Sequence, residues 1–198
     1  MSDQKRPYRM KKRAELEEQT RLRITESAVE LHEKLGPARA SISAIAERAG
    51  VRRSTVYRHF PDEEALFTAC SAHWGAANPP PDPQAWAAIE DPAERTQLAL
   101  RELYDFYGRT EGMFTSLLRD ESIVPPVQRR LGEFYGYLAM VRDTLMSGRA
   151  LRGRAARRKR AALGHALAFP TWQSLSRDQG LRGEDAVGLM CALVECAA

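Results

Sequence analysis

Residues 41–60 read SISAIAERAGVRRSTVYRHF, and the spacing of apolar residues in this stretch decides how it folds. Ile45, Ala46, Ala49, Val51, Val56 and Phe60 form one apolar seam across two short helices set at an angle. Ala46 is small enough for close helix contact, and Gly50 supplies the positive-φ residue that a sharp inter-helix turn requires. The second helix is otherwise polar: Arg52, Arg53, Ser54, Thr55, Tyr57, Arg58 and His59. These side chains are suited to phosphate oxygens or base edges. A helix-turn-helix presents such a helix to the DNA major groove. A helical hairpin with a solvated basic face fits the same pattern, so the stretch alone leaves both readings open.

The flanking sequence narrows the choice. Upstream, TRLRITESAVELHEKLG (residues 20–36) carries Ile24, Ala28, Leu31 and Leu35 at helical spacing on one face, and Gly36-Pro37 ends the helix. Downstream, DEEALF opens another helix, with Asp62 as N-cap and Leu66 and Phe67 facing inward. Thr55, Tyr57, His59 and Phe60 follow a T-hydrophobic-Y-x-H-F pattern.

Residues 20–75 therefore resemble the N-terminal DNA-binding domain of TetR-type transcriptional repressors. The resemblance implies an all-α chain of about nine helices: a three-helix helix-turn-helix domain, then a larger helical ligand-binding and dimerisation domain. It also implies a homodimeric repressor released from a palindromic operator by a small-molecule effector. Ser41 stands where the family has a Ser or Thr that caps the second helix and touches phosphate. With it, Arg52, Arg53, Ser54, Thr55, Tyr57, Arg58 and His59 form the expected DNA-binding set. Two positions depart from the family pattern. Arg52 occupies the place of the usual Ser N-cap, a loss of about 1 kcal/mol unless Ser54 caps a later start. Glu63 replaces a phosphate-directed Lys, and acids there suit the helix dipole but repel phosphate, so no side-chain contact is expected from it.

Charge is unevenly distributed. Residues 1–60 hold 14 Lys and Arg against 8 Asp and Glu, a net +6 within a chain whose total is +4. The positive field lies at the expected DNA-binding end, where it steers association without carrying sequence information. The first 13 residues, MSDQKRPYRMKKR, contain six cations and a Pro without helical periodicity. They read as a disordered basic arm, either solvated or following phosphates. No segment approaches the roughly 20 apolar residues of a membrane span, and no signal region follows the basic start. A cytoplasmic location is expected.

The expected domains are the arm at 1–13, the helix-turn-helix domain at 14–75 with its recognition helix at about 53–60, and a body at 76–198. A loop with four prolines, GAANPPPDPQ from Gly75, marks the boundary. Beyond it the spacing predicts a helix from Asp91-Pro92 through Tyr107 and a short one through Met113 and Leu118. Another runs from about 126 to 146, a long one from 153 to 178 is broken near Pro170, and a last one spans 184–197. Tyr104, Tyr107, Phe114, Tyr137, His165 and Trp172 are the candidate lining of an effector pocket, which the resemblance places in this body. Ordinary helical core accounts equally well for any single one of them. The last two helices, through Leu163, Ala166, Leu167, Ala168 and Phe169 and then Val187, Leu189, Met190, Leu193 and Val194, are the expected dimer surface. The basic run 152–160 reads as solvated helix.

Catalytic readings find little support. His32, His59, His73 and His165 show no metal spacing, and Cys70, Cys191 and Cys196 are too dispersed for a structural zinc site. No phosphate loop or nucleophile elbow occurs, so neither an enzyme nor a cofactor is expected. Two alternatives remain: an effector-independent architectural DNA-binding protein, and a helical ligand-binding or catalytic protein whose basic third does not engage DNA.

Overall fold

The computed structural model describes the backbone of residues 5–197 and the side chains from residue 10 onward. Among these residues it contains ten α-helices and no strand. They are α1 (Lys5–Leu35), α2 (Ile42–Arg48), α3 (Arg53–His59), α4 (Glu63–Ala77) and α5 (Pro83–Ala87). Then come α6 (Pro92–Asp120), α7 (Pro125–Met146), α8 (Gly153–Ala166), α9 (Phe169–Gln173) and α10 (Glu184–Cys196). A π-helical turn, Ser174–Asp178, follows α9. The all-α expectation holds.

Two compact units divide the chain. The first takes the chain up to Ala77 and also Thr115–Gln128; the second takes Asn78–Phe114 and Arg129–Ala198. The boundary at Ala77 lies close to the proline loop, but α4 runs through Gly75 and the loop begins later. Assignment of residues 115–128 to the first unit departs from a continuous C-terminal body.

In the first unit, Ile24 and Ala28 of α1 pack with Ile42, Ile45 and Ala46 of α2, Val56 of α3, and Leu66 and Cys70 of α4. Full burial of each large aliphatic contributes about 1.5–3 kcal/mol, enough to hold two seven-residue helices that would not persist alone. Leu31 is only half-buried and Leu35 is exposed, contrary to the expected inner face. Leu35 occupies the last position of α1, where Gly36 turns the chain away. Residues 1–4 of the expected arm lie outside the described residues. From Lys5 the arm is instead helical, continuous with the rest of α1, and Arg13 pairs with Glu17 one turn on.

Past the proline loop, α6 is a single 29-residue helix where two were expected. Gly108 and Gly112 are the two glycines between Tyr107 and Met113, and each costs about 1 kcal/mol in a helix, which the helix-forming sequence around them outweighs. The short α5 arises inside the proline loop because Asp82 accepts from the Gln84 N–H at 2.9 Å and Pro83 starts the turn. The break near Pro170 takes the form of α8 ending at Ala166 and α9 starting at Phe169. Pro170 lacks an N–H and its ring clashes with the carbonyl four residues back, which is Ala166.

The residues expected at a dimer surface divide between buried and exposed positions. Leu163, Ala166, Leu167, Phe169, Val187, Met190 and Val194 are buried within the unit. Leu189 and Leu193 of α10 remain exposed, at 41% and 54%. In the basic run, Lys159 is buried rather than solvated, and its Nζ donates to the Val194 carbonyl at 2.7 Å and the Glu195 carbonyl at 3.0 Å, capping α10.

Candidate nucleic-acid interface

The turn between α2 and α3 is built from backbone. Gly50 has φ +65, its N–H donates to the Glu47 carbonyl at 3.0 Å, and the Val51 N–H donates to the Ala46 carbonyl at 2.9 Å. This pair of bonds is a Schellman motif, which needs a residue with positive φ just past the helix end. At the other end of α2, Ser41 Oγ accepts from the Ala44 N–H at 3.2 Å, so Ser41 is its N-cap and stays exposed.

α3 buries Val56 and turns the rest of its surface outward. Arg52, Arg53, Ser54, Tyr57 and Arg58 are exposed, and Thr55 and His59 are half-buried. Among the described residues, the side chains from Arg52 to Arg58 make no hydrogen bond or ion pair. Arg52 is the N-cap without a side-chain bond, and Ser54 lies inside the helix, so the missing cap is not replaced. Burial and the nearby cations Arg58 and Arg21 lower the His59 pKa, which keeps its imidazole neutral. His59 Nε2 has no hydrogen-bond partner among the described residues.

Arg21, which no local sequence pattern marks, fixes the end of α3. Its Nη1 donates to the His59 carbonyl at 2.7 Å, and its guanidinium sits 4.3 Å from the Phe60 ring centroid. Asp62 caps α4, accepting from the Ala65 N–H at 2.7 Å, with Leu66 and Phe67 buried behind it. Glu63 and Glu64 stay exposed in the first turn.

A second group of residues closes the far end of α1. Ser116 Oγ donates to the Glu33 carbonyl at 2.8 Å, and Arg119 Nη2 donates to the Leu35 carbonyl at 2.7 Å. Buried Asp120 accepts from the Ala38 N–H at 3.0 Å. These bonds satisfy groups that a helix end otherwise leaves open. Burial works against the Asp120 carboxylate, but Arg119, the Ala38 amide and Arg39 outweigh it and hold its pKa below the usual value. A Cβ on Gly36, whose φ is +86, would collide with the Arg119 and Asp120 side chains. Nearby, His32 lies against Cys70, with Nδ1 and Sγ 3.4 Å apart. Burial is the main cause that pushes the His32 pKa down to about 4.

Residues 24–70, which span the α1 core face, the turn and most of α4, match the family described as bacterial regulatory proteins, tetR family. The match covers the helix-turn-helix segment of that family and stops before the rest of the chain. Solved structures share the chain's fold. A TetR-like transcriptional regulator from Rhodococcus sp. RHA1 superposes with a TM-score of 0.65 at 17% identity, covering 89% of this chain and 93% of that one. NalD from Pseudomonas aeruginosa, described as the secondary repressor of the MexAB-OprM multidrug efflux pump, superposes at 0.61 with 21% identity, covering 91% and 96%. The fatty acid degradation regulator FadR from Bacillus halodurans gives 0.59 at 17% identity, covering 87% and 96%. Among functionally curated proteins none matches in sequence.

In the second unit, the six candidate effector residues divide. Tyr104, Tyr107, Phe114 and Trp172 are buried. Tyr107 meets Phe114, Phe169 and Trp172 at ring distances of 5.8, 5.3 and 5.9 Å. Tyr104 Oη donates to the Ala166 carbonyl at 3.0 Å and Tyr107 Oη to the Leu167 carbonyl at 2.6 Å. Both carbonyls stand at the helix break before Pro170. Tyr137 Oη donates to the Pro81 carbonyl at 2.8 Å. His165 is exposed and lies 3.4 Å from Thr171 Oγ1, away from the aromatic cluster. Tyr107 and Phe114 thus belong to packed core, Tyr137 is half-buried, and Tyr104 and Trp172 line a cavity of about 320 Å³. Among the described residues, no helix is long and apolar enough to cross a membrane.

Proposed function

We propose that this chain is a cytoplasmic, homodimeric transcriptional repressor, without cofactor or catalytic activity, that holds an inverted-repeat operator in double-stranded DNA through α3. A small-molecule effector bound in the second unit releases it. The observation that carries the reading is the outward row of unpartnered side chains on α3, set by the Gly50 turn and Arg21 within a TetR-family domain. Arg52, Arg53, Ser54, Thr55, Tyr57, Arg58 and His59 supply the contacts from α3, and Ser41 supplies one beside phosphate.

A dimer follows from the size of α3. A seven-residue helix touches too few base pairs to be specific, whereas two such helices about 34–36 Å apart read a palindrome. Exposed Leu189 and Leu193 on α10 offer apolar surface to a second copy. Coupling between effector and operator is reciprocal: an effector that weakens operator binding is itself bound more weakly by the DNA-bound protein.

Selection from a random double-stranded DNA pool tests the reading, with an inverted repeat as the expected consensus. Arg53→Ala should relax preference at one position per half-site at a cost of about 1–3 kcal/mol. Tyr57→Ala should weaken binding to all sequences alike. A consensus without two-fold symmetry would overturn the dimeric reader.

A further inference from the structure

The cavity under which Tyr104 and Trp172 lie has a chemical character of its own. Its volume of about 320 Å³ is at the lower end of the roughly 300–1,000 Å³ common for small-molecule sites. Both aromatic residues are buried, at 4% and 6% exposure, and present only a small part of their surface to it. Three different segments bring a guanidinium to it: Arg109 from α6, Arg177 from the π-helical turn and Arg182 from the loop before α10. Arg177 is held by Glu111, with Nε 2.8 Å from Oε1 and a second contact to Oε2. Glu111 neutralises it. Arg109 and Arg182 make no side-chain hydrogen bond or ion pair among the described residues. Asp105 is the one acid in the lining, so the site keeps a positive surplus.

Two backbone features open the cavity. Gly108 lies beside Trp172, and a Cβ there would stand 3.8 Å from the indole, already in van der Waals contact. The π-helical turn Ser174–Asp178, closed by the Gln179 N–H donating to the Ser174 carbonyl at 3.0 Å, places Ser176 and Arg177 on the rim. Such turns are rare and recur at functional sites.

We propose that this cavity binds an organic anion with a compact apolar body, which rests against the small exposed parts of Tyr104 and Trp172 while its carboxylate pairs with Arg109 and Arg182. Guanidinium groups match a carboxylate in planar, two-point geometry and stack on aromatic faces. The proposal rests on reading the second unit as the effector-binding one and assigns that effector its chemical class.

Calorimetric titration of the full chain with 2-naphthoate and with the uncharged 2-naphthalenemethanol separates charge from shape. The carboxylate should bind at least tenfold more tightly than the alcohol. Arg109→Ala with Arg182→Ala should abolish that preference, and Gly108→Leu should abolish binding of both probes, each variant keeping the wild-type melting temperature within a few degrees. Arg154→Ala with Arg158→Ala, exposed on α8, should bind like wild type. No naphthoate binding at millimolar concentration, equal binding of the two probes, or an undiminished preference in the Arg109–Arg182 double variant overturns the anion site. Repeating the titration with a selected operator distinguishes the two layers. Naphthoate binding that leaves operator affinity unchanged keeps the anion site and overturns the effector reading.

Discussion

Tyr57 and Tyr107 are the same residue type put to opposite uses in the two units. Tyr57 stands on α3 at 41% exposure with no hydrogen-bond partner among the described residues. Tyr107 is fully buried, surrounded by rings, with its hydroxyl 2.6 Å from the Leu167 carbonyl. Burial raises the pKa of Tyr107 well above the ordinary phenol value, so its proton stays in that hydrogen bond. The first unit leaves the hydrogen-bonding capacity of α3 unspent and closes its core with aliphatic side chains and the ring of Phe60. The second consumes the hydroxyls of Tyr104, Tyr107 and Tyr137 on its own backbone carbonyls. A side chain with nothing left to bond serves the fold; one with bonds to spare serves a partner.

The largest expected effect breaks that contrast at its buried end. Tyr107→Ala should cost about 3–5 kcal/mol in urea unfolding through cavity formation, whereas Tyr57→Ala should stay within about 0.5 kcal/mol of wild type. Equal stability of the two variants would show that exposure is not what separates them.

A buried titratable group sharpens the contrast inside the first unit. His32 protonates below about pH 6.5 in the unfolded chain but only near pH 4 in the folded one. The stability this confers is complete above pH 6.5 and drains away as pH falls toward 4, by roughly 3 kcal/mol at most. His32→Phe should flatten urea midpoints across that window. Asp120, whose carboxyl is held below its usual value, contributes stability that is lost at still lower pH. A wild-type stability curve flat from pH 6.5 to 4 would count against a neutral, buried His32.

Next in size, Gly36→Ala should lower the melting temperature at a cost of about 1–3 kcal/mol, since it forces a left-handed backbone on alanine and drives Cβ into Arg119 and Asp120. Gly132→Ala, in open space on α7, is the matched control and should be neutral or slightly stabilising. The smallest change sits on the exposed side. Arg52→Ser restores an N-cap to α3 and should stabilise the chain by about 0.5–1 kcal/mol, while removing a cation from the proposed DNA face and weakening operator binding. A variant that gained both stability and affinity would argue that Arg52 faces away from DNA.

Much of this could be read from residue spacing. The core positions Ile24, Ala28, Ile45, Val56, Leu66 and Phe67 and the turn at Gly50 are local signals, each set by periodicity or by a conformation that few residues adopt, whereas the cap at Ser41 was implied by the family resemblance. Helix limits were less legible. Nothing in the sequence says that Gly108 fails to end α6 or that Asp82-Pro83 starts a helix within a proline loop. The partners of Arg21, Ser116, Arg119 and Asp120 were not legible at all. Ser116, Arg119 and Asp120 join atoms more than 80 residues apart in the chain, and polar residues near a helix end look the same whether solvated or capping. The candidate effector residues divided for a similar reason, because aromatic spacing is identical for a core ring and a cavity wall.

Local chemistry therefore settled the all-helical course of the chain, the helix-turn-helix and its polar outer face, since helix period, caps and turn conformations depend on residues a few places apart. Tertiary packing decided which polar side chains remained free. It spent Tyr107 and Lys159 on orphaned carbonyls, joined the end of α6 to the end of α1, and left Arg109 and Arg182 unpaired beside Trp172. Those outcomes depend on which distant carbonyl or carboxylate arrives within 3 Å or so, a distance that folding alone establishes.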